Sequence, residues 1–268
     1  MQLTKAMKMV AAAKLRRSQD RIVRARPFAR RMQDVLRSLA ARANPETHPL
    51  LQVRPERRVE IVVIGADRGL CGSFNASVNK SSFAFLRSHD AGNRIVQTVG
   101  RKPREYFRRR NVALEHEWLD VARDLGYPLA ENIATGFLDR YTAGTVDAVY
   151  VAYNEFKSAI QQHAVIEKLL PVEPAEVRPG DTADDYIYEP DAATLFGELL
   201  PTYVKVQLYR ALLESNAAEQ AARMTAMESA TKNAGELIES LTLHMNRVRQ
   251  SSITTEIIEV VSGAAALG

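Results

Sequence analysis

Residues 22–43 read IVRARPFARRMQDVLRSLAARA, and Ile22, Ala25, Ala29, Met32, Leu36, Leu39 and Ala43 recur at alternating steps of three and four. That period lays one apolar seam along a helix, the kind that packs against a second helix in a coiled coil. Upstream, Leu15 continues the seam, Ser18 interrupts it, and Leu3, Met7 and Val10 form a narrower stripe. Residues 2–43 hold no glycine and a single proline, Pro27, which is expected to kink the helix locally. Asn44-Pro45 ends it, because proline disfavours helical geometry in the residue before it.

The other end of the chain has the same texture. From Thr202 to Ser262 there is no proline and one glycine, Gly235. Sixty-odd residues at helical rise make a rod on the order of 90 Å. Its stripe is Met227, Ala230, Ala234, Leu237, Leu241 and Val248, with His244 breaking one position. Asp191 is read as the cap of a short helix to Leu200, with Pro201 in the first turn of the next. Neither terminal helix can bury its stripe alone, so the two are expected to bury them against each other. An insertion that returns the chain near its point of departure makes the pair antiparallel. The last helix is the longer, so one end of it is expected to project singly.

Between them the pattern changes. Asn44–Arg57 holds Pro45, Pro49 and Pro55 and reads as a linker. Arg58–Ile64 and Val146–Tyr153 are β-branched runs suited to buried strands. Arg94–Val99 is strand-like, Val112–Trp118 is a further candidate strand, and His163–Leu170, ambiguous by pattern, is taken as a strand stopped by Pro171. Helices are expected at Ser73–His89, Pro103–Arg110 and near Leu129–Tyr141. Glu173–Asp185 reads as a polar loop and Asp185–Tyr188 as a last extended piece. The expected fold class is α/β: an antiparallel coiled coil of the N- and C-terminal helices with an inserted Rossmann-like α/β domain. The divisions are 1–43 for the first helix, 58–190 for the inserted domain and 191–268 for the last helix.

The 268 residues are 46% hydrophobic, ordinary for a globular chain. No apolar run reaches the ~18 residues of a membrane span, and lysines interrupt the amino terminus as no secretory signal would allow. One cysteine, Cys71, rules out an internal disulfide framework and suits a reducing compartment. The net charge is +4, yet residues 1–43 alone carry +10 and the remaining 225 carry −6. A basic helix on an acidic body asks for an acidic partner.

The search for chemistry returns little. The turn Gly65-Ala66-Asp67-Arg68-Gly69-Leu70-Cys71-Gly72-Ser73 joins a strand to a helix, as a phosphate loop does, but lacks the glycine spacing and the Gly-Lys-Ser/Thr ending. A tight turn is the better reading. Cys71 has no base signalled near it and reads as a small buried thiol. Glu115, His116 and Glu117 alternate faces on a strand and do not converge on a metal. No catalytic, cofactor-binding or metal-ligating residue is expected. The basic first helix, with Lys5, Lys8, Lys14, Arg16, Arg17, Arg21, Arg24, Arg30 and Arg31, would suit nucleic-acid phosphates or an acidic protein face. The paired-helix seam favours the protein face.

Four blocks of sequence resemble the γ subunits of F-type ATP synthases. They are Thr4–Lys14 (TKAMKMVAAAK), Asp67–Asn75 (DRGLCGSFN), Glu219–Met224 (EQAARM) and Asn246–Ala264, which contains NRVRQSSITTEI. Both ends and the middle are represented, so the resemblance spans essentially the whole chain. It implies a central rotor shaft inside a hexamer of α and β subunits, coupling proton flow through a membrane ring to ATP synthesis on β. The chain itself would then be a non-catalytic subunit without a cofactor. Its implied partners are α, β, the ε subunit and the membrane c-ring. Its implied place is the cytoplasmic side of a bacterial plasma (inner) membrane, peripheral through the complex.

Residue by residue, Lys5, Met7 and Lys8 match the part of the first helix that faces the acidic loop of β. Arg223, Gln250, Thr254 and Glu256 match contacts of the last helix with the hexamer. Tyr186, Tyr188 and Glu189 match the foot that meets the ring and ε. Two departures stand out. Family members usually carry about twenty more residues ahead of the Thr4–Lys14 block, so either the start lies too late or the first helix is short. The cysteine-bearing regulatory insertion of photosynthetic relatives is missing, so no thiol switch is expected. The alternative reading is a basic coiled-coil nucleic-acid-binding protein, and a weaker third is a nucleotide-binding enzyme using the Gly65–Gly72 turn.

Overall fold

The computed structural model describes residues 2–40, 48–122, 125–158, 161–172 and 192–266. Helix α1 (Gln2–Ala40) leads into strand β1 (Val59–Ile64), helix α2 (Phe74–Arg87), strand β2 (Arg94–Val99) and helix α3 (Arg101–Arg108). Strand β3 (His116–Trp118), helix α4 (Tyr127–Thr142), strands β4 (Ala148–Phe156) and β5 (Gln162–Leu170), and helix α5 (Ala192–Ala266) complete the chain. The expected helix end at Asn44-Pro45, the seam position Ala43, the loop Glu173–Asp185, the piece Asp185–Tyr188 and the cap Asp191 lie outside the described residues.

The five strands lie in the order β3-β2-β1-β4-β5. The first four run parallel, and β5 is antiparallel to β4, with Val151 opposite Glu167. Central strand β1 is buried along its whole length, as a strand covered on both faces must be. One face packs Val62, Ile64, Val99, Val149 and Val151 against α4 and α5, and the other packs Ile61, Val63 and Val96 against α2 and α3. The candidate strand at Val112–Trp118 shrinks to three residues. Asn111 has turned to positive φ and Val112 donates its N–H back to Phe107, so pairing begins only at His116.

The helices α1 and α5 pair antiparallel. Thr231 Oγ1 donates to Thr4 Oγ1 at 2.7 Å, Lys8 Nζ lies 2.6 Å from Glu228 Oε1, and Ser18 Oγ donates to Asn216 Oδ1 at 2.6 Å. Ala11, Leu15, Ser18, Ile22, Met32 and Leu36 are buried along α1, and Leu15 and Ile22 meet Leu213, Ala217 and Ala221. Two expectations for this seam are overturned. Ser18 continues it, because its hydroxyl has a partner on α5 and a second in the Lys14 carbonyl. Leu3 and Val10 leave it, at 74% and 56% exposed. The buried positions Ala11, Leu15 and Ser18, spaced four and then three, follow Met7 by another four. Two consecutive steps of four shift the buried face away from Val10.

Helix α5 also differs from its reading. It runs unbroken for 75 residues with Pro201 inside it, about 110 Å of rod. Pro201 cannot donate to the carbonyl of Gly197, four residues back, but the chain finds other support there. The His48 ring sits against Gly197 and 6.5 Å from Phe196, edge to face. Burial lowers the pKa of His48, and the Gly197 backbone partly opposes that by hydrogen bonding. Phe196 and Leu200, on either side of Gly197, are buried in the main core.

Thr4 is the α1 residue opposite Thr231, and among the described residues no helix lies beside 236–266 of α5. Leu237, Leu241 and Val248, expected in the seam, are exposed among the described residues. Replacing Ala217, fully buried between Leu15 and Ile22, with leucine overpacks the seam. Ala217→Leu is expected to cost about 1–3 kcal/mol, read as a thermal midpoint lower by several degrees, whereas Ser240→Leu on the projecting end leaves it unchanged.

Candidate functional site

Three of the four sequence blocks meet in space. Met7, Val10, Ala11 and Lys14 of α1, the turn Asp67–Leu70, and Glu219, Gln220 and Arg223 of α5 line one groove of about 560 Å³. Blocks separated by some 50 to 150 positions in sequence thus form one surface, at the level where the α/β domain touches the helix pair.

The turn is built to dock. Gly65 donates its N–H to Val99 O, and Ala66 donates to Asn75 Oδ1 at 2.9 Å. Asn75 Nδ2 in turn reaches Cys71 Sγ at 3.2 Å. Asp67 Oδ1 accepts the backbone N–H groups of Arg101 and Asp120, which ties the turn to the ends of β2 and β3. Gly72 needs its φ of +56°, and Leu70 adopts +62° while standing exposed at the tip. Behind it Ala66, Cys71 and Phe74 pack on Ala218 and Ala222. With its first amides committed inside the fold, the turn serves as a strut between sheet and shaft. Burial pushes the Cys71 thiol up, with the Arg223 charge opposing.

Arg223 is held within the chain. Its side chain is 13% exposed, pairs with Glu219 at 2.7 Å and donates to Gly69 O at 3.3 Å. Lys8 pairs with Glu228, while Lys5 is exposed and Met7 half-buried. Gln250, Thr254 and Glu256 all stand exposed on the projecting end, far along α5 from the groove. Thr254 donates back to Gln250 O at 2.8 Å, and Glu256 Oε1 receives Ser252 Oγ at 3.4 Å. Tyr186, Tyr188 and Glu189 lie outside the described residues. Glu115 and Glu117 face different partners: Glu117 takes Arg104 and Arg108, and Glu115 lies 3.9 Å from Arg140.

Sequence reasoning passed over Glu219, although its pair with Arg223 is spaced i,i+4 on one helix and was open to be read. It did not find Glu228 as the partner of Lys8, because a pair across two helices shows no fixed spacing in the sequence. The buried Glu60 on β1 went unnoticed for the same reason. Arg140 from α4 holds it bidentately at 2.6 and 2.9 Å, and Gln97, itself bonded by Trp118 Nε1, donates to it at 2.6 Å.

The ATP synthase family model matches residues 1–267. An ATP synthase gamma chain from Anaeromyxobacter sp. (strain Fw109-5) is 50% identical over 275 residues, covering 99% of this chain and 93% of that one. One from Pelotomaculum thermopropionicum is 45% identical over 266 residues, with 99% and 93% covered. Among solved structures, a chain of the central stalk and c-ring of the Tetrahymena thermophila mitochondrial ATP synthase aligns with a TM-score of 0.65 at 26% identity. It covers 85% of this chain and 99% of its own. A chain of the Euglena gracilis mitochondrial ATP synthase shares the fold, with a TM-score of 0.67 at 19% identity and 99% and 89% covered.

Burial, the largest influence, pushes the Glu219 carboxyl above its ordinary value while Arg223 pulls it down. A raised acid favours the fold when protonated, so this contribution is full below the ordinary glutamate pKa and lost as pH rises through the folded one. Melting Glu219→Gln beside the parent from about pH 4 to about pH 7 is expected to show the difference moving in the variant's favour as pH rises. A difference that stays flat contradicts the assignment.

Proposed function

Because this chain belongs to the ATP synthase gamma-chain family, we infer that it is the central-stalk rotor subunit of F1, and that its projecting helix turns inside the ring of catalytic subunits. The observation that carries the mechanism is residues 236–266 of α5. At 100° per residue, Leu237, Leu241 and Val248 share one face of this segment, and Leu243, Ile257 and Val261 occupy the opposite one. All six are exposed. The face of Leu237, Leu241 and Val248 continues the seam that α1 covers lower down, so it is the second, opposite face of Leu243, Ile257 and Val261 that calls for apolar surfaces around the helix. An axle meets that condition, because each face is presented to each surrounding subunit in turn.

The remaining assignments follow from this reading. Lys5, Met7 and Lys8 face the acidic loop of β from the first helix, and Gln250, Thr254 and Glu256 contact the hexamer from the last one. The +10 of residues 1–43 supports an acidic partner face there. Arg223 acts one step removed, by bracing the turn through Gly69. Tyr186, Tyr188 and Glu189 are assigned to the foot against ε and the membrane c-ring. The chain supplies no nucleotide chemistry of its own and transmits proton-driven rotation to ATP synthesis on β. Its place is the cytoplasmic face of a bacterial plasma membrane, held there through the complex. No described helix is long and apolar enough to cross a membrane. A nucleic-acid partner gains no support from the relatives or from the groove, in which Arg223 is already paired with Glu219.

Co-expression with α and β subunits tests the reading: the chain is expected to co-purify with them, and alone to hydrolyse no ATP. A chain that stays monodisperse alone and never joins the hexamer contradicts it. Lys5→Glu combined with Lys8→Glu is expected to weaken assembly roughly tenfold at low salt and less at high salt. An equal loss at both salt levels counts against an electrostatic role.

A further inference from the structure

We propose that Arg210 is the positioning residue that fixes the rotational setting of α5 against the α/β domain, so that torque passes between shaft and foot without slip. The proposal rests on the rotor reading above. Most of the contact between α5 and the domain is apolar: Val204, Leu208, Ala211 and Leu212 belong to the core that also holds Val149, Val151 and Leu170. Apolar burial is non-directional. The close packing of these side chains opposes rotation as well, but it supplies no contact as sharply dependent on position as a hydrogen bond.

As Arg223 does through Gly69 at the turn, Arg210 supplies the direction at this level. Its Nη2 lies 2.6 and 2.7 Å from the two carboxylate oxygens of Glu167 on β5. Tyr153 on β4 donates its hydroxyl to the same carboxylate at 3.0 Å, which holds Glu167 in place. On the other side, Arg210 Nε donates to Gln207 Oε1 at 2.9 Å, and Nη1 lies 3.5 Å from Glu214 Oε1. Both belong to α5. One planar group is therefore held by the sheet through Nη2 on Glu167 and by its own helix through Nε and Nη1 on Gln207 and Glu214. At a radius of about 5–6 Å from the helix axis, a turn of about 10° displaces the guanidinium by about 1 Å. That is enough to break hydrogen bonds of this length.

The other ion pair at this level, Lys205 Nζ with Glu131 Oε1 at 2.9 Å, is a point charge on a flexible stem and allows such a turn. The Arg210 cluster stands beside a cavity of about 500 Å³ between α1, α5 and β5, bordered by Tyr127 and Tyr203. Looser packing there leaves the ionic contact as the stiff element.

The test uses the whole complex, fixed by its hexamer, with a bead on the foot through Arg109→Cys, an exposed site just beyond α3. The native buried cysteine, Cys71, stays unlabelled. If the complex with otherwise parental sequence does not rotate the bead, the rotor reading fails and the proposal with it. If it rotates, Arg210→Met is expected to widen the angular spread of the bead at a stalled dwell about twofold or more, with ATP hydrolysis nearly unchanged. ATP-driven proton pumping per ATP hydrolysed should fall in the same variant, and Arg210→Lys should restore part of both. Glu167→Gln is expected to reproduce the widening, and it decides the matter if Arg210→Met fails to assemble. An unchanged spread and an unchanged pumping ratio in the assembled variants overturn the proposal.

Discussion

The antiparallel contact between α1 and α5 is the constraint from which the rest of the structure follows. Two isolated helices with one apolar seam each have nothing to bury it against, and helix propensity alone holds long segments only marginally in water. Here Leu15 and Ile22 sink into the space left by Ala217 and Ala221, so small residues on one helix make room for large ones on the other. The described part of α1 ends at Ala40 and α5 begins at Ala192, so the inserted domain leaves and re-enters the rod at the same end. The opposite end of α5 then lies away from that domain. Shaft and foot are consequences of that one pairing direction.

The domain is attached to that rod by two kinds of contact. Apolar packing of the sheet and α4 on α5 sets the distance between them. The turn after β1, braced by Asn75 inside and by Arg223 through Gly69 outside, ties the upper edge of the sheet to the shaft. The Arg210–Glu167 pair ties the sheet's antiparallel edge lower down. Two directional contacts at different heights on one helix resist both tilt and twist, which a part that carries torque requires. Inside the domain, the Glu60–Arg140 pair crosses from β1 to α4 and is buried at the carboxylate end. Breaking such a pair strands a charge, so it fixes how α4 seats on the sheet whatever its net worth to stability.

Period and composition announced most of this architecture. The seam from Ile22 to Leu36, the β-branched runs of β1 and β4, and the proline-free stretch of α5 each follow from spacing along one segment, and each sits where its pattern placed it. What escaped notice depends on a second segment. Ser18 looks like a fault in a seam until Asn216 is opposite it, and Pro201 looks like a helix boundary until His48 and the buried Phe196 and Leu200 support the turn around it. Val10 fits a stripe by residue type, but the drift of the buried face between Met7 and Ser18 turns it outward, and further up Thr4 rather than Leu3 meets α5. The groove was legible only as separate blocks. That Met7, Gly69 and Arg223 share one surface is a property of the fold, because no single period links them.

The account stands on the direction and register of the α1–α5 contact, and cross-linking measures both. Thr4 and Thr231 have hydroxyls 2.7 Å apart, so cysteines at these positions lie within reach of a disulfide. In the full chain, Thr4→Cys with Thr231→Cys is expected to oxidise readily to an internally linked product, while Thr4→Cys with Asn216→Cys gives none. Linkage of Thr4 to Asn216 in preference to Thr231, or linkage of neither, would contradict the antiparallel shaft and everything built on it.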